Sequence, residues 1–287
     1  MIKKFHIFFI LLVLCGSGFV FADDKETPLP TNQTALPQQF EGFNLQGYTE
    51  TGEKSWDVTG ATADVQGSQI KLTDVNANHY GDEKVNLTAK NGVVDQTSGQ
   101  MHLDTDVVIT SDQGQQLKTE SLDWDRNKDL VTTNDKVQLT TPDQKMEAVG
   151  TGAEMQPGAK KAKLNEDVTV KVNTEPDKAI AKIVTITCDG SLDIDQNKQK
   201  AVFHDNVVAV QDDRTLKADK ITVVFDAQTK QIKQLICEGN VSIVQGENKT
   251  YAEEATYTAA DQTLTLKGRP KLILLTNGDK SIASFRN

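Results

Sequence analysis

The side chains able to do chemistry are few, and their spacing does not assemble them. The four histidines, His6, His79, His102 and His204, lack the short paired spacings from which metal sites are built, so no metal is expected. His79 and His102 read instead as exposed strand residues. Among the cysteines, Cys15 lies near the N-terminus, while Cys188 and Cys237 stand alone without a Cys-x-x-Cys pair. Carboxylates are plentiful, and Asp95, Asp125, Asp195, Asp226 and Asp261 recur at equivalent turns. A recurring turn acid caps backbone N–H groups, whereas acid–base catalysis needs one specially placed pair. Neither a glycine-rich phosphate loop nor a nucleophile elbow is present. The expectation is therefore a protein without catalytic residues or cofactor, and not an enzyme. The net charge of −10 adds a second exclusion. Nucleic-acid binding needs clustered Lys and Arg to neutralise phosphates, and this chain has no such cluster.

What the residues do show is repetition. Six times after Leu87 an alternating strand leads to a polar turn and then to a second alternating strand, broken by an acidic or glycine-bearing corner. Units open at Leu87, Leu117, Met146, Ile186, Leu216 and Tyr251. Spacings of about 30 to 40 residues are those of stacked supersecondary units. Shorter strand patterns precede them at Phe43 to Leu45, Gly52 to Val58 and Ile70 to Val75. Regular short strands with Gly, Asn and Asp turns, and no amphipathic helix between them, predict an all-β architecture. The step from Met146 to Ile186 is longer than its neighbours and carries Pro176 among charged residues. It predicts a joint between two lobes, 40–175 and 176–287.

Aligning the units on the corner predicts what the stack buries. Before the corner come Met101/Leu103, Val131/Thr133, Ala162/Leu164, Ala201/Phe203, Leu235/Cys237 and Leu264/Leu266. After it come Val107/Ile109, Val137/Leu139, Val168/Val170, Val207/Ala209, Val241/Ile243 and Pro270/Leu272. Residues two apart share one face of a strand, so these form a single apolar surface, opposite a face rich in Lys, Gln, Thr and Asp. A hydrophobic content of 37% with only 6% aromatics suits one thin sheet folded on itself better than a thick core.

The N-terminus is a targeting segment. Lys3 and Lys4 precede an apolar run, followed by Gly16-Ser17-Gly18 and Val20-Phe21-Ala22. Residues 1–22 fit a secretory signal cleaved after Ala22, or a retained anchor, since the run is close to the shortest that spans a bilayer. Lipidation at Cys15 is disfavoured by bulky Leu14. Residues 23–39, with Pro28, Pro30 and Pro37, read as an extended linker. Beyond the cytoplasm Cys188 and Cys237 could pair, or serve as small inward residues.

The ordered set of strand motifs carries a resemblance. Gly52-Glu53-Lys54-Ser55-Trp56-Asp57-Val58, then Leu72-Thr73-Asp74-Val75, His79-Tyr80, Leu87 to Gly92 and Leu117 to Asp125 resemble the periplasmic LptC component of lipopolysaccharide export. Leu216 to Ile221, Cys237-Glu238-Gly239-Asn240-Val241 and Leu266-Lys267-Gly268-Arg269-Pro270 are similar to LptA/OstA-type domains. The resemblance implies an open, V-shaped twisted β-jelly roll of stacked antiparallel strand pairs, as one continuous body or two tandem lobes. It implies a periplasmic protein holding lipid A acyl chains on the apolar residues named above. The implied partners are lipopolysaccharide, the inner-membrane Lpt ABC transporter complex, and LptA/LptD-type proteins that stack through edge strands. One departure is Asp205-Asn206-Val207, where the later unit has Gly239-Asn240-Val241. Two other readings stand beside this one: a structural β-repeat envelope protein with a filled core, and a carbohydrate-active solenoid. The second is disfavoured because Trp56 and Trp124, the two tryptophans, sit in strand patterns that suit packing.

Overall fold

The computed structural model describes residues 38–49, 51–80, 84–142, 145–173, 182–228 and 231–275. The expected signal or anchor, most of the linker and the lobe boundary beside Pro176 lie outside them. The described residues form one antiparallel sheet. Its first half is β1 (Gln38–Tyr48), β2 (Lys54–Gln66), β3 (Gln69–Tyr80), β4 (Lys84–Asp95), β5 (Gln100–Ser111), β6 (Gln116–Asp125), β7 (Leu130–Thr140), β8 (Met146–Gln156) and β9 (Lys161–Asn173). Then come β10 (Ile183–Cys188), β11 (Leu192–Asp195), β12 (Lys200–Gln211), β13 (Arg214–Phe225), β14 (Ile232–Gln245), β15 (Asn248–Thr258), β16 (Thr263–Lys267) and β17 (Lys271–Ile273). Each strand pairs with the next in sequence, with two variations. β10 and β11 together occupy the place between β9 and β12, and β16 and β17 share the place beyond β15. The ladder thus runs unbroken from the first repeats into the last, as one continuous body.

Local chemistry makes the hairpins. The Asp95 carboxylate accepts the N–H groups of Thr97 and Ser98, and Asp125 and Asp195 accept those of Lys128 and Lys198. Asp226 and Asp261 do the same for Gln228 and Thr263. The repeated turn acids are therefore backbone caps. Hydrogen bonding to the Ser98 backbone holds Asp95 below the usual carboxylate range, and the Lys128 ammonium does so at Asp125.

The corners fold the sheet. From β4 to β9 and from β12 to β15, each ladder slips register at one level, between Thr88/Asn91, Asp104/Val107, Lys118/Asp123, Thr133/Lys136, Val149/Thr151, His204/Val207, Lys217/Lys220 and Glu238/Val241. Such bulges bend a strand, and aligned bulges crease the whole sheet into two arms. At the corners successive residues are left-handed: Thr105-Asp106, Asp205-Asn206, Gly239-Asn240 and Gly268-Arg269. Asp205 thus takes the conformation Gly239 takes, because Asp and Asn tolerate that region better than other side chains. The sequence departure leaves the corner unchanged.

Candidate functional site: an apolar interior

Cross-strand partners share a face, so the ladders trace rows through the molecule. One row reads Leu45, Val58, Ala77, Leu87, Ile109, Leu117, Leu139, Ala148, Val170, Ile186, Ala209, Leu216, Ile243, Thr250 and Leu272. Every strand position supplies one member, and only Thr250 is polar. On the other arm Phe40, Ala63, Leu72, Gly92, Leu103 and Leu122 are successive partners, as are Thr133, Ala153, Leu164, Leu192, Phe203, Ile221, Cys237, Ala255 and Leu266. The two arms are named below for Leu139 and Leu103.

Burial shows that the arms cover each other. Leu103, Leu139 and Leu164 are each 1% exposed and Val107 and Val207 0%. A lone sheet cannot hide a side chain that fully; a second layer must lie on it, and among the described residues the other arm is the layer available. Removing each such side chain from water contributes about 1.5–3 kcal/mol.

The nominated residues fall into three groups. Leu103, Val107, Ile109, Val131, Val137, Leu139, Leu164, Val168, Val170, Ala201, Phe203, Val207 and Val241 belong to one buried cluster, against which Met101, Leu235, Ile243 and Leu266 pack. Ala209 is half-buried in the first row. Leu264 and Leu272, on the last strands, are 48% and 52% exposed. Ala201 is 0% exposed, so no open space lies beside it. The cluster also takes residues not nominated from sequence, including Leu117, Leu122, Met146, Met155, Ile194, Ile221 and Phe225. These lie mostly on the strands that open each unit, whose alternation carries the same signal.

The interior is divided near its N-terminal end. Ala63, Leu72 and Val75 form a separate cluster with Phe43, Val58, Ile70 and Val94 packed on it. Gly92 stands where the two meet. A Cβ there would lie 3.1 Å from Leu103 Cδ2 and 3.4 Å from Val75 Cγ2, so these neighbours occupy the space its side chain would take. At this end aromatic rings lie across facing glycines, Phe43 over Gly60 and Trp56 over Gly47.

Of the polar candidates, the two cysteines belong to the interior cluster, while His102 and His204 lie outside it. Cys188 and Cys237 are both free and buried, and burial pushes their thiols up to about 11 and about 12, far from reactive thiolates. His102 pairs with Asp123 at 2.7 Å and His204 with Asp193 at 3.0 Å on the outer face. His79 departs from the exposed strand position expected of it. It is half-buried on the inner face, partnered by Trp56 and Val85, and burial lowers its pKa. Asp57 is the most enclosed outer-face acid. Despite the burial that pushes it up, bonds from Lys54, Asn78 and Tyr80 hold it below the usual range. Trp124 packs on the main cluster, the role expected of it.

Comparison with known proteins agrees in two segments. Residues 185–284 match the model described as LptA/(LptD N-terminal domain) LPS transport protein. No curated protein matches the chain. Among solved structures it is similar to LptH, described as the LptA homologous periplasmic component of the lipopolysaccharide transport device of Pseudomonas aeruginosa. That likeness has 12% identity and a TM-score of 0.35, and covers 57% of this chain and 96% of that one. Residues 5–172 match the model described as Lipopolysaccharide-assembly, LptC-related, and the chain, a continuous creased sheet around an apolar interior, belongs to that lipopolysaccharide-transport family.

Proposed function

We propose that this chain carries lipopolysaccharide by holding lipid A acyl chains against the apolar inner face, with residues 40–175 and 176–287 acting as successive carrier lobes. The observation that supports this most is the row from Leu45 to Leu272, in which every strand contributes and the apolar character does not lapse until Thr250. A core that only stabilised the fold would not need to continue onto the outermost strands, where Leu45 and Leu272 are 49% and 52% exposed. In this reading nothing on the chain is catalytic. The acidic surface is compatible with it, because apolar area supplies the grip on the acyl chains.

The same reading places the protein in the periplasm, held at the inner membrane by residues 1–22 next to the export ABC transporter. Among the described residues no helix is long and apolar enough to cross a membrane, and this segment lies outside them. Among the described residues each end of the sheet has a strand with one neighbour, β1 at one end and β16 with β17 at the other. Unpaired edges are templates for another chain, so LptA/LptD-type partners would extend the apolar row beyond Leu45 and Leu272.

A photocrosslinking residue at half-buried Leu87 or Ile243 should capture lipopolysaccharide in cells, and one at outward Thr88 or Ser242 should not. Equal capture from both faces would sink the reading. The tight centre of the interior favours the alternative of a purely structural, filled core. That alternative expects capture from neither face.

A further inference from the structure

We infer that the lipid-free interior is closed on its own side chains, and that acyl chains enter by the two arms swinging apart about the crease; this rests on the acyl-carrying reading above. Two observations carry it. The first is that no room is waiting. Leu103, Val107, Val137, Leu139, Leu164 and Val207 are 0–1% exposed, so almost no water-sized space touches them, and a methylene chain is wider than a water. A ligand cannot slide into a preformed channel through that region; the layers must separate first.

The second observation is the crease itself. The register slips of eight ladders fall on one line between the arms. Within each arm the ladders resist bending. Across the line the strands are joined through bulged backbone, with left-handed residues at several corners, so a small change in torsion there rotates one arm against the other. The Leu103 arm is further stiffened along its free rim. Asn127 donates to the Ser98 carbonyl, Asp129 accepts the Gly158 N–H, and Asn197 donates to the Ala159 carbonyl, each tying one hairpin turn to the next. It would move as a plate. Parting the arms exposes apolar surface to water, which opposes opening until acyl chains cover that surface. Lipid therefore binds the open state selectively and shifts the population toward it.

The test measures arm separation by double electron–electron resonance in the full chain carrying Cys15→Ser. Spin labels go on Glu154→Cys and Gln138→Cys, which are exposed on the outer faces of the Leu103 and Leu139 arms. A control pair, Gln100→Cys with Glu154→Cys, lies within the Leu103 arm. Labelled chain is diluted with unlabelled chain to suppress distances between copies, and a chain without added cysteines reports background labelling at Cys188 and Cys237. Lipopolysaccharide is then added and its binding checked by extraction. The expected result is one narrow arm-to-arm distribution without lipid, lengthening by several ångströms with it, while the control stays fixed. A broad lipid-free distribution, or an unchanged one with lipid bound, overturns the hinge and leaves the acyl-carrying reading standing. Failure to bind lipid removes that reading and the hinge together.

Discussion

Thr105 is a β-branched residue at a φ of 67°, at a corner where the later units have Gly239 at 77° and Gly268 at 78°. The left-handed region crowds a Cβ, and a branched one most, at a cost on the order of 1–3 kcal/mol. Thr105→Gly should therefore raise the urea midpoint, by an amount equivalent to about 1 kcal/mol once the greater freedom of glycine in the unfolded chain is subtracted. Gly239→Thr should do the opposite. Its Cβ would also run into the Asp219 carboxylate, so a loss above ~2 kcal/mol is expected. Equal midpoints for all three chains would show that the corner torsions do not set stability. The corner chemistry was partly legible in sequence, since acids and glycines mark every bend. That Thr105 shares the glycine conformation was not, because threonine by itself signals an extended strand.

At the scale of elements, β17 is short, exposed and, among the described residues, paired only with Lys249–Tyr251 of β15. Its outward edge is the docking surface expected for a further strand. Ile273→Pro removes a backbone donor there without touching the buried cluster. Association with an LptA-type partner, followed by pull-down or light scattering, should weaken while the thermal midpoint of the body moves little. Association that survives the change would place docking elsewhere. Strand positions were readable from alternation because a half-buried strand must repeat every second residue. Less readable was the split of one strand place into β10 and β11, around Asp189 to Ser191. Nothing in the local pattern shows that two short strands will share the same neighbours.

At the scale of the whole molecule, two alanines separate a sealed interior from a yielding one. Ala201 is 0% exposed, between partners Ile194 and Val223, while Ala209 is half-buried between Ile186 and Leu216. Ala201→Leu should cost about 1–3 kcal/mol by overpacking, read as a fall in thermal midpoint. Ala209→Leu should leave that midpoint nearly unchanged and reduce the lipid that copurifies. If both alanines tolerate leucine equally, the centre is looser than its burial indicates. If Ala209→Leu destabilises strongly with lipid occupancy unaltered, the interior is a filled core and not a carrier.

The sequence by itself determined the strands, their turns and the identity of the inner face, because each follows from spacing along the chain: a period of two, an acid at each hairpin, a glycine or acid at each corner. Those rules are local, and they placed Leu103, Leu139, Phe203 and Val241 on the correct side of the sheet. Only the tertiary structure decided how tightly that side closes. Whether Ala201 touches empty space or a packed neighbour depends on the distance between two arms whose residues meet across the fold, and no spacing along one strand encodes that distance. Packing also decided that Leu264 and Leu272 remain exposed, because burial on the last strand position requires a neighbour the described chain does not provide. The apolar row was therefore legible from the chain, while its sealed centre and open ends were consequences of layer against layer.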